Sequence, residues 1–328
     1  MSLSDKRNLN VLVTGADGFV GSALVKRLQA EPQFSVRAAV RSLPGRERPE
    51  GVDWVETGDL AAVSDRQSIL QGIDVIIHLA ARVHVMQDTA ADPLAEFRKV
   101  NVDGTLNLAR QALLAGVKRF IFISSIKVNG EATLPGHPFR ADDVPAPEDA
   151  YGISKREAED GLRELCLNST MKFVIIRPPL VYGAGVKGNF YSMLRWLDKG
   201  IPLPLAAIQN QRSLIAVDNL VDLIITCIQH PLAANQTFLA SDGVDLSTPE
   251  LLTKTASALG KRARLLPMPT GLLDVVARCF GKTAAAQKLC GSLQVDIGKT
   301  RDRLGWRPPV GVEQALRASA EHYLETRK

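Results

Sequence analysis

Tyr151 and Lys155 are four residues apart in this 328-residue chain and form the pair best suited to proton chemistry. On a helix that spacing sends both side chains out from one face. A phenol, with a pKa near ~10, is a poor acid or base at neutral pH until a neighbouring cation favours the phenolate. The Lys155 ammonium can supply that charge. Ser125, at the end of an apolar run, can hydrogen-bond a substrate oxygen while Tyr151 gives or takes its proton. A tyrosine four residues before a lysine is also common on helices as an exposed ring over a solvated amine, so the weight of the pair depends on what surrounds it.

A glycine-rich turn lies upstream: Thr14-Gly15-Ala16-Asp17-Gly18-Phe19-Val20-Gly21. Glycines at this spacing between a strand and a helix serve three purposes. Gly15 makes the tight turn, Gly18 lets a pyrophosphate approach the backbone, and Gly21 lets helix pack on strand. The helix N-terminus then offers free N–H groups and a positive dipole end. Asp17, Phe19 and Val20 lie in the same turn, within reach of a dinucleotide. The end of the second strand carries Arg41, with Arg37 nearby and no acidic residue, which favours NADP(H) while leaving NAD(H) possible. Asp59 and Leu60, after the third strand, are placed to meet the adenine. With a nicotinamide present, the Ser125, Tyr151 and Lys155 constellation accompanies hydride transfer to or from carbon.

The elements that must position these groups alternate. Strands are expected at Asn10–Thr14, Ser35–Arg41, Val52–Glu56, Asp74–Leu79, Val117–Ser125 and Lys172–Arg177. Val20, Leu24 and Leu28 repeat as one helix face does, a long helix covers about 94–115, and another runs from Ala150 to about Asn168. Nearly unbroken apolar strands point to a parallel sheet buried on both sides. The expectation is an α/β chain with a doubly wound sheet and right-handed crossovers. Residues 1–178 would form the dinucleotide-binding domain, with about 209–241 returning to it through possible strands at 213–217 and 237–240. About 179–208 and 242–328 would form a smaller mixed α/β substrate lobe. Segment 126–149, rich in proline, reads as a functional loop.

Composition excludes several classes. Apolar residues make up 45% and the net charge is +5, with no basic tract. No nucleic-acid partner is expected. No apolar window is long enough to span a membrane and the N-terminus has no signal-peptide core, so a cytoplasmic protein is expected. Cys166, Cys227, Cys279 and Cys290 lack metal-ligand spacing, so no metal is expected. The apolar segment 271–280 is read as core packing, with contact at a membrane surface as the alternative.

The glycine turn, His78-Leu79-Ala80-Ala81, Asn101-Val102-x-Gly104-Thr105, Ser124-Ser125, Tyr151-Gly152-x-Ser154-Lys155 and Arg177-Pro178-x-x-Val181-Tyr182-Gly183 occur in order. Together they resemble the extended short-chain dehydrogenase/reductase family and its nucleotide-sugar epimerase, dehydratase and 4-keto-reductase branch. The resemblance continues through Val217-Asp218-Asn219-Leu220 and Leu304-Gly305-Trp306-x-Pro308. It implies a Rossmann fold, with cofactor contacts at Leu79, Ala80, Ala81 and Val83. It also implies them at Asn101, Ser124, Pro178 and Val181, besides Tyr151 and Lys155.

The same resemblance places Asn189 at the nucleotide and Arg212 at the diphosphate, with Lys187 assisting. His84 and Lys127 would touch the sugar, and Asn129 stands where many members have tyrosine. The segments 83–85 and 126–129 most resemble reductases of UDP-2-acetamido-2,6-dideoxy-4-hexulose in O-antigen assembly. The leading expectation is therefore an NADPH-dependent 4-keto-reductase of a UDP-linked amino sugar. A UDP-glucose or UDP-N-acetylglucosamine 4-epimerase with tightly bound NAD is the alternative, since it would use the same triad. A non-catalytic dinucleotide-binding protein is disfavoured by the intact triad. The helices at 94–115 and 150–168 resemble those that pair in family homodimers.

Overall fold

The computed structural model describes residues 8–43, 48–62, 65–83, 92–134, 136–269, 271–272 and 289–327. His84 and most of the apolar segment 271–280 lie outside the described residues.

Seven parallel strands form the main sheet. They are β1 (Leu9–Thr14), β2 (Phe34–Val40), β3 (Asp53–Glu56), β4 (Val75–His78), β5 (Arg119–Ile123), β6 (Lys172–Arg177) and, last in the chain, β9 (Gln236–Leu239). Their spatial order is β3-β2-β1-β4-β5-β6-β9. The chain winds outward from β1 in one direction and returns to build β4 onward in the other. A crevice therefore opens between the carboxyl ends of β1 and β4, where sheets of this kind bind ligands.

Period-two alternation sends each strand's side chains to two helical layers. Leu12, Ile76, Phe120, Phe122 and Ile175 pack against Leu108, Ala112 and Leu162, which come from α4 (Gly104–Leu114) and α5 (Ala150–Cys166). Val11, Val13, Ile77, Ile121 and Val174 face α1 (Phe19–Gln29) and α7 (Val217–Gln229) through Leu24, Leu28, Leu220 and Ile224.

Beyond β6 come β7 (Leu180–Tyr182), α6 (Gly188–Asp198), β8 (Arg212–Ala216), β10 (Asp245–Leu246) and α8 (Thr248–Ala258). Later in the described residues come α9 (Gly298–Leu304) and α10 (Val312–Thr326). Strands β10, β8 and β7 make a separate three-stranded sheet. Of the two expected returning strands, only the one at 237–240 rejoins the main sheet. The segment at 213–217 instead pairs in parallel with β7 and antiparallel with β10, and what returns to the main core is the helix that follows it. An apolar run of that length is compatible with either sheet, so only its pairing partners decide.

The helix expected over 94–115 is interrupted. Between α3 (Pro93–Phe97) and α4, residues Arg98–Asp103 form a π turn. At its centre Asn101 is buried, and its side chain reaches out of the helix. Its Oδ1 accepts from Arg82 N at 2.8 Å, while Nδ2 donates to Arg82 O at 3.1 Å and to Ser154 Oγ at 3.0 Å. A π turn next to a functional cleft is a common way to re-aim one side chain.

A buried ion pair joins α5 to the sheet. Arg177, at the end of β6, donates through Nε to Glu159 Oε1 at 2.9 Å and through Nη2 to Oε2 at 2.6 Å, both side chains being almost wholly buried. Ser124 Oγ donates to Glu159 Oε1 at 2.6 Å. Arg163 Nη2 bridges Glu159 Oε2, at 2.8 Å, to Thr237 Oγ1 on β9, at 3.0 Å. The third Arg177 nitrogen, Nη1, donates to Asn129 Oδ1 at 2.9 Å. Breaking one side of such a pair leaves an uncompensated buried charge, which typically costs about 3–5 kcal/mol. Glu159→Leu alone should lower stability to urea by that order. The double variant Glu159→Leu, Arg177→Met should recover much of the loss, and equal loss in single and double variants would show that the pair is not the source.

Candidate active site

Ser125 leaves β5 in an extended conformation, and its Oγ accepts from Lys127 N at 3.3 Å, opening a single 3-10 turn at Ile126–Val128. Asp149 caps α5, its Oδ1 accepting from Gly152 N at 2.7 Å, so Tyr151 stands in the first turn of the helix. An aspartate at this position is a strong helix start and satisfies an otherwise unpaired N–H. The strand end and the helix start then meet, close enough for the Ser125 hydroxyl to favour the Tyr151 phenolate against the larger effect of burial. Phe97 packs its ring against Tyr151 edge-on, with 6.0 Å between centroids.

Lys155, one turn further along, is buried under the phenol's helix. Its Nζ donates to Ile123 O at 2.9 Å and lies 4.4 Å from the Phe122 ring centroid, a cation–π contact. Three residues expected to act together are thus brought to one place.

Their protonation is set first by burial. Tyr151 is pushed up to about 12 by burial and by the Asp149 carboxylate, with the Ser125 hydroxyl opposing. Lys155 is pulled down to about 7 by burial, with Glu159 opposing. Desolvation penalises the charged form of each, so it raises an acid and lowers a base. The ammonium is spent on the Ile123 carbonyl and the Phe122 ring.

Beneath the site, Thr105 Oγ1 donates to Asn101 O at 2.6 Å and lies 3.0 Å from His78 Nε2, while Thr14 Oγ1 lies 2.7 Å from His78 Nδ1. Because the Thr105 proton is already given to the carbonyl, the network assigns the imidazole proton to Nε2 and makes Nδ1 the acceptor from Thr14. Burial, and then Lys155, push His78 down to about 3, so it stays neutral and joins β1, β4 and α4 without adding charge.

The glycine turn fits a dinucleotide. Gly15 has φ +67°, and a methyl group there would lie 2.8 Å from Ala80 N; one at Gly21 would lie 2.1 Å from Gly15 O. Only glycine allows this closeness of β1, α1 and the β4 end. No side chain caps α1, and its first turn holds no acidic residue, so its positive end remains available to a phosphate. Phe19 and Val20 are half-buried in that first turn, as are Leu79, Ala80 and Ala81 beyond β4, whereas Asp17 and Val83 are exposed.

Several expected contacts are directed elsewhere. Ser124 gives its hydroxyl to Glu159, Leu60 is buried beside Gly104, and Asp59 Oδ1 accepts from Ala61 N at 3.0 Å. Arg37 is paired with Asp53 at 2.6 Å and donates to Ile69 O at 3.0 Å, whereas Arg41 is exposed just past β2. Lys127 is engaged with Asp149 and, at 2.9 Å, with Glu131. Pro178 is buried and its carbonyl accepts from Ile126 N at 3.0 Å, while Val181 pairs in register with Ile215. Lys187 and Asn189 are exposed at the start of α6, and Arg212 Nη1 donates to Gly291 O at 3.0 Å.

The comparisons with known proteins agree with this geometry. Residues 11–239 match the sequence profile of the NAD dependent epimerase/dehydratase family. A Vibrio cholerae protein named UDP-glucose 4-epimerase is 50% identical over 317 residues, covering 96% of each chain. Among solved structures, a Thermotoga maritima UDP-glucose 4-epimerase with UDP-glucose superposes with a TM-score of 0.78 at 22% identity, over 98% of this chain and 100% of that one. A Bacillus cereus UDP-glucuronic acid 4-epimerase with NAD gives 0.78 at 19% identity, over 97% of both chains.

The depressed Lys155 also has a consequence for stability. A folded pKa near 7 against an unfolded 10.5 means that the unfolded chain binds the extra proton between those values, so stability rises with pH across that window. In dinucleotide-free protein, Lys155→Met should gain melting temperature relative to the parent at pH 6 and lose that advantage by pH 10. A difference independent of pH would place the lysine in a well-solvated setting.

Proposed function

The chain belongs to the NAD dependent epimerase/dehydratase family, and from that membership we propose that it is a UDP-hexose 4-epimerase working with a tightly held NAD. The observation that carries the reading is the junction of Ser125, Tyr151 and Lys155 at the carboxyl end of β5, beside the open N-terminus of α1. The end-to-end likeness to the Vibrio cholerae protein supports an epimerase over the 4-keto-reductase of a UDP-amino sugar. The engagement of Arg37 by Asp53 supports NAD over NADP, because it removes one of the two cations that would receive a 2′-phosphate.

A bound NAD would supply the hydride acceptor, and in reduced form the donor, at C4 of the sugar. The chain supplies the rest. Ser125 orients the C4 oxygen, and Tyr151 removes its proton as C4 is oxidised and returns one when C4 is reduced on the other face. The nicotinamide's positive charge would favour the phenolate, which burial and Asp149 otherwise oppose. Lys155, displaced from Ile123 O, would hold the nicotinamide ribose. Arg212 has the planar fork needed for a diphosphate, and Asn189 would lie at the nucleotide.

Two copies joining through α4 and α5 complete the proposal. Light scattering should give twice the mass of 35.5 kDa, and a monomer would contradict it.

Purified protein given UDP-glucose, or in parallel UDP-N-acetylglucosamine, should form the C4 epimer without added cofactor and without net NAD(P)H consumption. Tyr151→Phe should reduce kcat by about 10²–10⁴-fold, the usual contribution of a positioned acid–base group. Stoichiometric NADPH oxidation with a 4-keto UDP-sugar, and no epimer from either hexose, would assign the reductase instead.

A further inference from the structure

Lys127 is joined to both segments that carry Ser125 and Tyr151. Its backbone N–H donates to Ser125 Oγ at 3.3 Å. Its carbonyl packs on the first turn of α5 so closely that a methyl group at Gly152 would lie 2.8 Å from Lys127 O. Its ammonium reaches the Asp149 carboxylate, which caps the same turn, and also meets Glu131 Oε1 at 2.9 Å. One residue is thus wedged between the strand end that carries Ser125 and the helix start that carries Tyr151. All three charged side chains of this cluster are about one quarter exposed, so their charges are only partly screened by water.

We propose that Asp149 is a positioning residue that keeps the Tyr151 phenol protonated beside Ser125 until substrate and dinucleotide are in place, and that its counter-ion Lys127 tempers that effect. A carboxylate two residues before a phenol, at the mouth of the same helix, opposes phenolate formation. Lys127 limits that opposition by neutralising the carboxylate and by holding it on the Gly152 N–H.

The other charged groups around Tyr151 have settled partners. Lys155 lies on Ile123 O, Glu159 is bound by Arg177 and Arg163, and His78 is neutral. Arg82 lies over the far partner ring, Phe97, at 5.5 Å, Arg98 is paired with Glu157, and Glu148 accepts from Glu131 N at 3.4 Å. The Lys127–Asp149 pair is therefore the adjustable part of the field at the phenol.

The proposal rests on the active-site assignment of Tyr151, but its test does not depend on which sugar is turned over. In the full-length protein with its dinucleotide, carbon-13 labelling of the four tyrosine rings allows each phenol to be titrated by NMR, with Tyr151→Phe identifying the relevant signal. Asp149→Asn should titrate Tyr151 about one pH unit lower, and Lys127→Met about one unit higher. Lys127→Arg should restore the parental value. The Asp149→Asn, Lys127→Met double variant should follow Asp149→Asn, because the lysine acts through the aspartate.

Asparagine still caps a helix, and Asp149→Ser offers a second capping variant should folding suffer. Shifts of opposite sign in the two single variants support the proposal. An unmoved Tyr151 titration in both, whatever happens to turnover, overturns it, as does a shift of the same sign in both.

Discussion

Glu159 and Arg177 hold the site together. A carboxylate and a guanidinium, each nearly free of solvent, satisfy one another in a two-point pair and take in Ser124, Asn129 and Arg163 as further partners. Through them α5 is fixed to β5, β6 and β9. The distance from Ser125 to Tyr151 then follows from a rigid framework and not from the loop between them. Removing two charges from water is expensive, and a dry apolar contact would give equal stability. What the pair adds is direction: each of its hydrogen bonds has a single acceptable geometry, and that geometry aims one element at the next.

Above this framework, the reactive groups are held under opposing demands. The phenol and the ammonium both lie where water is scarce, and each is pushed toward its neutral form. The proposed proton transfer at C4 would need the phenol to yield its proton, and the protein by itself makes that harder. The fold answers by leaving the N-terminus of α1 open beside the site, ready for a phosphate, and by keeping His78 neutral under it. On the proposed mechanism, the cation that favours the phenolate would arrive with the dinucleotide.

Much of this was readable from residue types alone. The strand at Lys172–Arg177 has the predicted bounds because its Val and Ile run meets a pair of prolines that can neither donate nor continue the ladder. The glycine turn and the placing of Tyr151 and Lys155 on one helix were visible because their requirements are local: a backbone clash and a four-residue spacing. What escaped prediction depends on long-range partners. The π turn exists because Asn101 reaches Arg82 and Ser154, neither of them on its own helix, and nothing in the apolar spacing of 94–115 signals it. Lys127 looks like a substrate contact until Asp149, 22 residues later, folds against it, and Arg37 looks like a phosphate ligand until Asp53 is seen beside it. In each case the side chain's chemistry was plain and its partner was not.

The central claim is that Tyr151 moves a proton on and off the C4 oxygen while the hydride leaving C4 comes back to the same molecule. UDP-glucose deuterated at C4 tests this most directly. The account predicts that UDP-galactose formed by the purified protein retains the deuterium at C4, in ordinary water and without added NADPH. Loss of the label to solvent, or a product that appears only as NADPH is consumed, would contradict it.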